Sequence, residues 1–186
     1  MSKTKEPINL RKVIALTALM MLIVTTAFAA PSYTERVGIV VVGGAEYKTK
    51  DYFDFVEKYF VKPFTSNRMQ MQYGKDAQNK YQNYWLDRGY LEEQTPTQRD
   101  FIEFVSYGAY DKVIFLKVQD SVTDQQGKRS RLSVNVNVFL VDRRKVLKAA
   151  SSTNEEDSKS SQLRARRGAF KKCAKELSNA IEPLMK

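Results

Sequence analysis

The sequence predicts an α/β (α+β) fold: a single mixed sheet built in the order β-α-β-α-α-β-β-β-α, with helices packed on it and a three-stranded antiparallel meander near the C-terminus. Three observations carry this expectation. The run VGIVVV at 37–42 is β-branched, of strand length, and stopped by Gly43-Gly44, as in a strand buried on both faces. The segment Arg131 to Val141 alternates strictly, with Leu132, Val134, Val136, Val138 and Leu140 on one face and Ser133, Asn135 and Asn137 on the other. A last helix from Gln162 to Met185 carries an apolar stripe of Leu163, Phe170, Ala174, Leu177, Ile181 and Leu184.

The elements between follow in order. From Lys50 to Val61, Phe53, Val56 and Phe60 recur at helical spacing and stop before Pro63, which has no N–H to continue a helix. Arg68 to Tyr73 alternates with the two-residue period of a half-buried strand and ends at Gly74. Asp76 to Arg88 reads as a helix closed by Gly89, with Ala77, Tyr81, Trp85 and Arg88 on one side and Tyr84 beside them. In TPTQ, Thr95 is the expected cap, Pro96 the first helical residue and Gln98 the third member of a capping box, opening a helix to Tyr107 that buries Phe101, Ile102 and Val105. Gly108 is expected to end it. Lys112 to Val118 is a strand, DSVTDQQGKRS a polar loop, Asp142 to Lys145 a tight turn, Val146 to Ser151 the third meander strand, and TNEEDSKSS a polar linker.

The N-terminus speaks to compartment. Lys3, Lys5, Arg11 and Lys12 precede an apolar run from Val13 to Val24, and Ala27-Phe28-Ala29 offers the small residues of a signal-peptidase site, so residues 1–29 are expected to leave as a signal peptide and residues 30–186 to form a single α/β domain. An uncleaved anchor is the rival, since the apolar stretch approaches the ~20 residues that span a bilayer. No cysteine stands near the site, so no lipoprotein anchor is expected. The predicted location is periplasmic or extracellular. Most of the +10 formal charge stays with the mature chain. Export makes nucleic acid an unsuitable partner for that charge and points to acidic proteins, anionic envelope polymers or lipid headgroups, with membrane attachment only through an uncleaved leader.

Several chemistries are excluded by composition. The chain has no histidine, which removes the usual neutral-pH base, the commonest metal ligand and every Ser-His or Cys-His pair. Cys173 is the only cysteine, so no internal disulfide forms, and its place beside the stripe of the last helix suits core packing. Asp51, Asp54 and Glu57 open a helix, where acidic side chains complement the dipole more often than they catalyse. Gly43-Gly44 lacks any G-x-G-x-x-G or G-K-[ST] continuation and reads as a turn. No catalytic residue, cofactor or metal is expected.

Two candidate binding features remain. The last helix places Arg164, Lys171 and Lys175 along one flank with Arg167 next to them, and Arg143, Arg144 and Lys145 in the last turn and Lys128, Arg129 and Arg131 in the preceding loop form further basic clusters. These are either a solvated surface or a face for an anionic partner. In NKYQNYWLDRGY, at 79–90, aromatic rings stand among amides. Trp85 is expected to pack on the sheet, while Tyr84 is the ring expected at the surface and the better candidate contact.

The segments RVGIVVVGG at 36–44, GAYDKVIFLKV at 108–118, SVNVNVFLVDRRKVLKAAS at 133–151 and the final amphipathic helix together resemble the α/β domain shared by the curli-secretion channel subunit CsgG, the penicillin-binding-protein activator LpoB and the N-terminal domain of TolB. The resemblance covers most of the mature chain. It implies a non-enzymatic envelope domain that binds another protein or itself, and it brings no catalytic residues. The alternative is a glycan- or anionic-lipid-binding protein using the aromatic helix and the basic flank.

Overall fold

In the computed structural model, which describes residues 34–66, 68–91, 94–126 and 129–185, the β-branched run forms β1 (Glu35–Val42), an interior strand of the only sheet among those residues. The expected signal peptide and its cleavage site lie outside the described residues. After β1 come α1 (Lys50–Val56), β2 (Met69–Gln72), α2 (Lys75–Asp87), α3 (Gln98–Tyr107), β3 (Lys112–Gln126), β4 (Arg129–Asp142), β5 (Val146–Ser158) and α4 (Gln162–Ile181). The sheet has five strands in the order β2-β1-β3-β4-β5. β1 pairs parallel with β2 and β3, and β3, β4 and β5 form the antiparallel meander. The fold is therefore the α/β arrangement expected.

Each face of the sheet has its own apolar layer. On one, Val37, Ile39 and Val41 of β1, Ile114 and Leu116 of β3, and Leu132 to Leu140 of β4 pack under α1 and α4. The alternation of β4 holds as read, for Leu132, Val134, Val136, Val138 and Leu140 are all at most 1% exposed. On the other face, Val40, Val113, Phe115 and Val141 pack under α2 and α3, with Phe101 stacked on Phe115 at 4.1 Å. Gly38 allows a close approach in this layer, since a Cβ there would meet the Tyr110 ring at 3.0 Å.

The helices differ from expectation in detail. The buried line of α1 is Tyr52, Val56 and Phe60 rather than one containing Phe53, and the helix widens by one π turn over Glu57–Val61, where Lys62 N–H donates to Glu57 O at 2.9 Å. The cap of α3 is Thr97, not Thr95. Its hydroxyl accepts from Asp100 N–H, and the Asp100 carboxylate accepts from Thr97 N–H at 2.7 Å, so the box closes two residues later than TPTQ suggests. Ile102 of that helix is only half-buried, and Phe104 takes the core position. Gly108 stays right-handed, and the left-handed cap position falls to Ala109 at φ 56°. An L-residue there carries about 1 kcal/mol of strain. α2 ends as expected, Gly89 at φ 69° allowing its N–H to reach Leu86 O and Tyr90 N–H to reach Trp85 O. Leu163 of α4 and Leu184, in the 3-10 turn Glu182–Leu184 that follows it, are exposed at 50% and 41%. The buried line is Ala165, Ala169, Phe170, Cys173, Ala174, Leu177 and Ile181, whose small residues bring the helix close to the sheet.

Two segments read as connections are strand. Most of DSVTDQQGKRS continues β3 and β4, and most of TNEEDSKSS continues β5. Pairing runs on from Ser121↔Ser133 and Asn135↔Thr153 to Gln126↔Arg129 and Ser130↔Ser158. Cross-strand ion pairs Arg129–Asp157 at 2.6 Å and Arg131–Glu155 at 2.9 Å line this extension.

The cores are rich in tyrosine, and this has a pH consequence. Burial pushes Tyr52, Tyr84 and Tyr110 up to about 12, and raises Tyr47 and Tyr81 as well. In the unfolded chain tyrosines lose protons from about pH 10, while the folded chain holds them. The unfolded state then binds fewer protons, so stability is complete below about pH 10 and falls as pH rises toward 12 and beyond. Urea melts between pH 8 and 11.5 should show this loss, and Tyr84→Phe should flatten it by up to one proton. An unchanged slope in that variant would place Tyr84 in solvent.

Candidate functional site

The sequence-predicted cations divide into engaged and free. Arg143 is committed within the fold: its Nε donates to Tyr110 O at 2.9 Å and its Nη2 pairs with Asp111 at 3.1 Å. Arg144 is exposed, its backbone N–H held by Asp142 Oδ1 at 2.7 Å. Lys128 lies outside the described residues. On α4, Arg167 pairs with Asp51 at 3.2 Å and sits over the Phe55 ring, Arg166 pairs with Asp120 at 2.7 Å, and Lys172 pairs with Glu156 at 2.5 Å. Arg164, Lys171 and Lys175 are exposed and make no ion pair among the described residues. The flank expected to hold four cations thus presents three.

Two of the acidic trio are likewise engaged within the fold, while Asp54 is exposed. Asp51 meets Arg167, and Glu57 meets Lys62 at 3.2 Å, whose hydrogen bond holds its carboxyl below the usual range. Cys173 is fully buried, its thiol donating to Val134 O at 3.4 Å. Among the described residues no group of three or more Asp, Glu or Cys side chains is arranged to hold a metal.

The aromatic helix reverses the expectation placed on it. Tyr84 is 1% exposed, packed edge-on against Phe104 at 5.6 Å and Tyr107 at 5.2 Å, so it is no surface contact. Trp85 is the half-exposed ring. It stacks on Tyr81 at 5.8 Å, and its Nε1–H donates to Leu91 O at 3.0 Å, which ties the following loop to the helix. That loop is fixed a second time by Tyr90, whose hydroxyl donates to the buried carboxylate of Asp100 at 3.0 Å.

Trp85 borders a cleft of about 580 Å³ where β1 ends, beside the middle of β3. Its floor is the turn Val42-Gly43-Gly44, and its far side is Lys117 and Gln119 of β3. β2 is too short to pair with the end of β1. Instead the Gln78 side chain of α2 bonds both N–H and C=O of Val41, at 3.2 and 3.0 Å, as a strand would. This brings α2 over the strand end and sets Tyr81, Gln82 and Trp85 along the cleft wall. Rings and amides therefore share one surface here, although the helical pattern separates them. The sequence signals for this cleft were Gly43-Gly44 and the amides of α2. Lys48, Gln94 and Lys117 carried none.

No family model and no curated protein matches the sequence. Among solved structures the fold is similar to the hypothetical protein CT253 from Chlamydia trachomatis, at 10% identity over 82% of this chain and 98% of that one, with a TM-score of 0.49. Lipoprotein GNA1162 from Neisseria meningitidis gives 14% identity over 80% and 99%, with a TM-score of 0.46. The LpoB C-terminal domain from Salmonella enterica gives 10% over 72% and 92%, with a TM-score of 0.34. With TM-scores below 0.5, these likenesses carry no argument about the site.

Proposed function

We propose that the chain is a non-enzymatic accessory domain of the cell envelope, exported by its leader, that binds an acidic surface of another protein or of a second copy of itself. The observation that carries this is the division of charge on α4. Three of its cations are neutralised by the fold, while Arg164, Lys171 and Lys175, spaced seven and four residues apart on one flank, are left exposed without partners among the described residues. Lys171 and Lys175 repel each other at i, i+4, a small cost that a bound anionic surface would reverse. Attraction of this kind weakens as salt shortens the screening length, about 10 Å at 0.1 M. Among the described residues no helix is long and apolar enough to cross a membrane.

The test compares the mature chain with Arg164→Gln/Lys171→Gln/Lys175→Gln, both immobilised and exposed to envelope extract. The parent should retain acidic proteins that elute as salt rises, and the triple variant should retain none while melting as the parent does. Concentration-dependent dimers that the substitutions abolish would make a second copy the partner. Retention indifferent to salt and to the substitutions would return α4 to an ordinary solvated face. Co-sedimentation with phosphatidylglycerol vesicles, lost in the triple variant, would favour the lipid-surface alternative.

A further inference from the structure

The cleft at the end of β1, beside the middle of β3, plays no part in the α4 reading, and its position is set by topology. The chain leaves β1 across one face of the sheet, through α1, to reach β2; it leaves β2 across the other face, through α2 and α3, to reach β3. The first crossover leaves the carboxyl end of β1 toward one face while α2 of the second returns over the other, and an opening at the end of β1, beside Lys117 to Gln119 within β3, is a direct result of the connections running to opposite faces. At about 580 Å³ it is of the size that holds a small molecule or a short run of an oligomer.

The lining selects a ligand chemistry. Trp85 offers a half-exposed ring already immobilised by Tyr81 behind it and by the bond from Nε1 to Leu91 O, so little side-chain freedom is lost when something stacks on it. A saccharide ring suits such a plane, because its C–H face is apolar while its hydroxyls need directional partners. Gln82 and Gln119 supply those partners, both exposed at the cleft and without side-chain hydrogen bonds among the described residues. Lys48 and Lys117 also line it, neither has an ion-pair partner among the described residues, and the described lining contains no carboxylate. The nearby Glu46 carboxylate packs on Gly44, outside the lining. A neutral sugar would leave both ammonium groups uncompensated.

We propose that this cleft binds an acidic saccharide, its ring stacked on Trp85, its hydroxyls held by Gln82 and Gln119, and its carboxylate neutralised by Lys48 and Lys117.

Trp85 is the chain's one tryptophan, so its fluorescence reports on the cleft alone. The mature chain is titrated with trigalacturonate and, separately, with its methyl ester, which keeps the rings and removes the charge. The acid should shift Trp85 emission saturably, and the ester should bind at least about tenfold more weakly. Lys48→Gln/Lys117→Gln should lower affinity for the acid to that for the ester, while the α4 triple variant should bind the acid as the parent does. Gln82→Ala should weaken both ligands. No saturable response to the acid overturns the proposal, as does equal affinity for acid and ester. Loss of acid binding in the α4 triple variant would move the site off the cleft, and an unchanged triple variant leaves the α4 reading to its own test. Because parent protein alone distinguishes acid from ester, the result does not depend on any variant folding.

Discussion

Val136→Asp should abolish cooperative unfolding of the domain, while Asn135→Asp, one residue away, should leave it nearly as stable as the parent. Val136 is 1% exposed, paired with Val118 on one side and Ser152 on the other, in the layer that α4 covers. A carboxylate there has no partner, and burying it costs several kcal/mol, against a total stability of about 5–15 kcal/mol for a domain of ordinary size. Asn135 points to the opposite face. Its Nδ2 donates to Ser151 Oγ at 3.2 Å and Thr153 Oγ1 at 2.7 Å, and its Oδ1 accepts from Asn137 at 2.7 Å. An aspartate keeps the acceptor, and the two hydroxyls can turn to donate, so the change should stay within about 1 kcal/mol. Urea melts of the two variants decide the matter. Equal losses would mean that β4 is displaced by one residue, which would exchange its faces.

What the sequence made legible was whatever one local pattern determines. The β-branched run of β1 and the alternation of β4 each report a burial that the residues themselves require, and the faces their patterns predict are the faces observed. The ends of β3 and β5 are not legible in this way, because beyond Val118 and Ser151 these two strands carry mostly polar residues in place of an apolar alternation, although Leu132 and Val134 of β4 between them stay buried. Those residues are strand because their partners are, through pairs such as Arg131–Glu155, and pairing between distant segments leaves no local trace. The cleft was hidden for the same reason. Lys48 and Lys117 are far apart in sequence and become neighbours of Trp85 only through the parallel pairing Val42↔Lys117 and the bond of Gln78 to Val41. The basic flank of α4 was legible as a spacing, but the loss of Arg167 to Asp51 depended on where α1 packs.

The exchange of Tyr84 and Trp85 had a signal that simple i, i+4, i+8 counting missed, and it leads to a second large effect. At 100° per residue, Tyr84 lies about 20° to one side of Ala77 and Trp85 about 80° to the other, so the stripe centred on Ala77 and Tyr81 takes in Tyr84 first. Tyr84→Ala should therefore cost about 3–5 kcal/mol, the usual loss for emptying a large aromatic site, because its ring contacts Phe104, Tyr107 and Tyr81. Tyr84→Phe should cost little, since the buried hydroxyl has no hydrogen-bond partner among the described residues to lose. Trp85→Ala should cost less than Tyr84→Ala, about 1–2 kcal/mol, from partial burial and the lost bond to Leu91 O. Urea midpoints at constant slope measure all three. The opposite order, with Trp85→Ala the more damaging, would mean that α2 is rotated about its axis. In that case Trp85 would face the sheet and the cleft would lose its aromatic wall, so the same melts that rank the two rings also decide whether a saccharide has a plane to stack on.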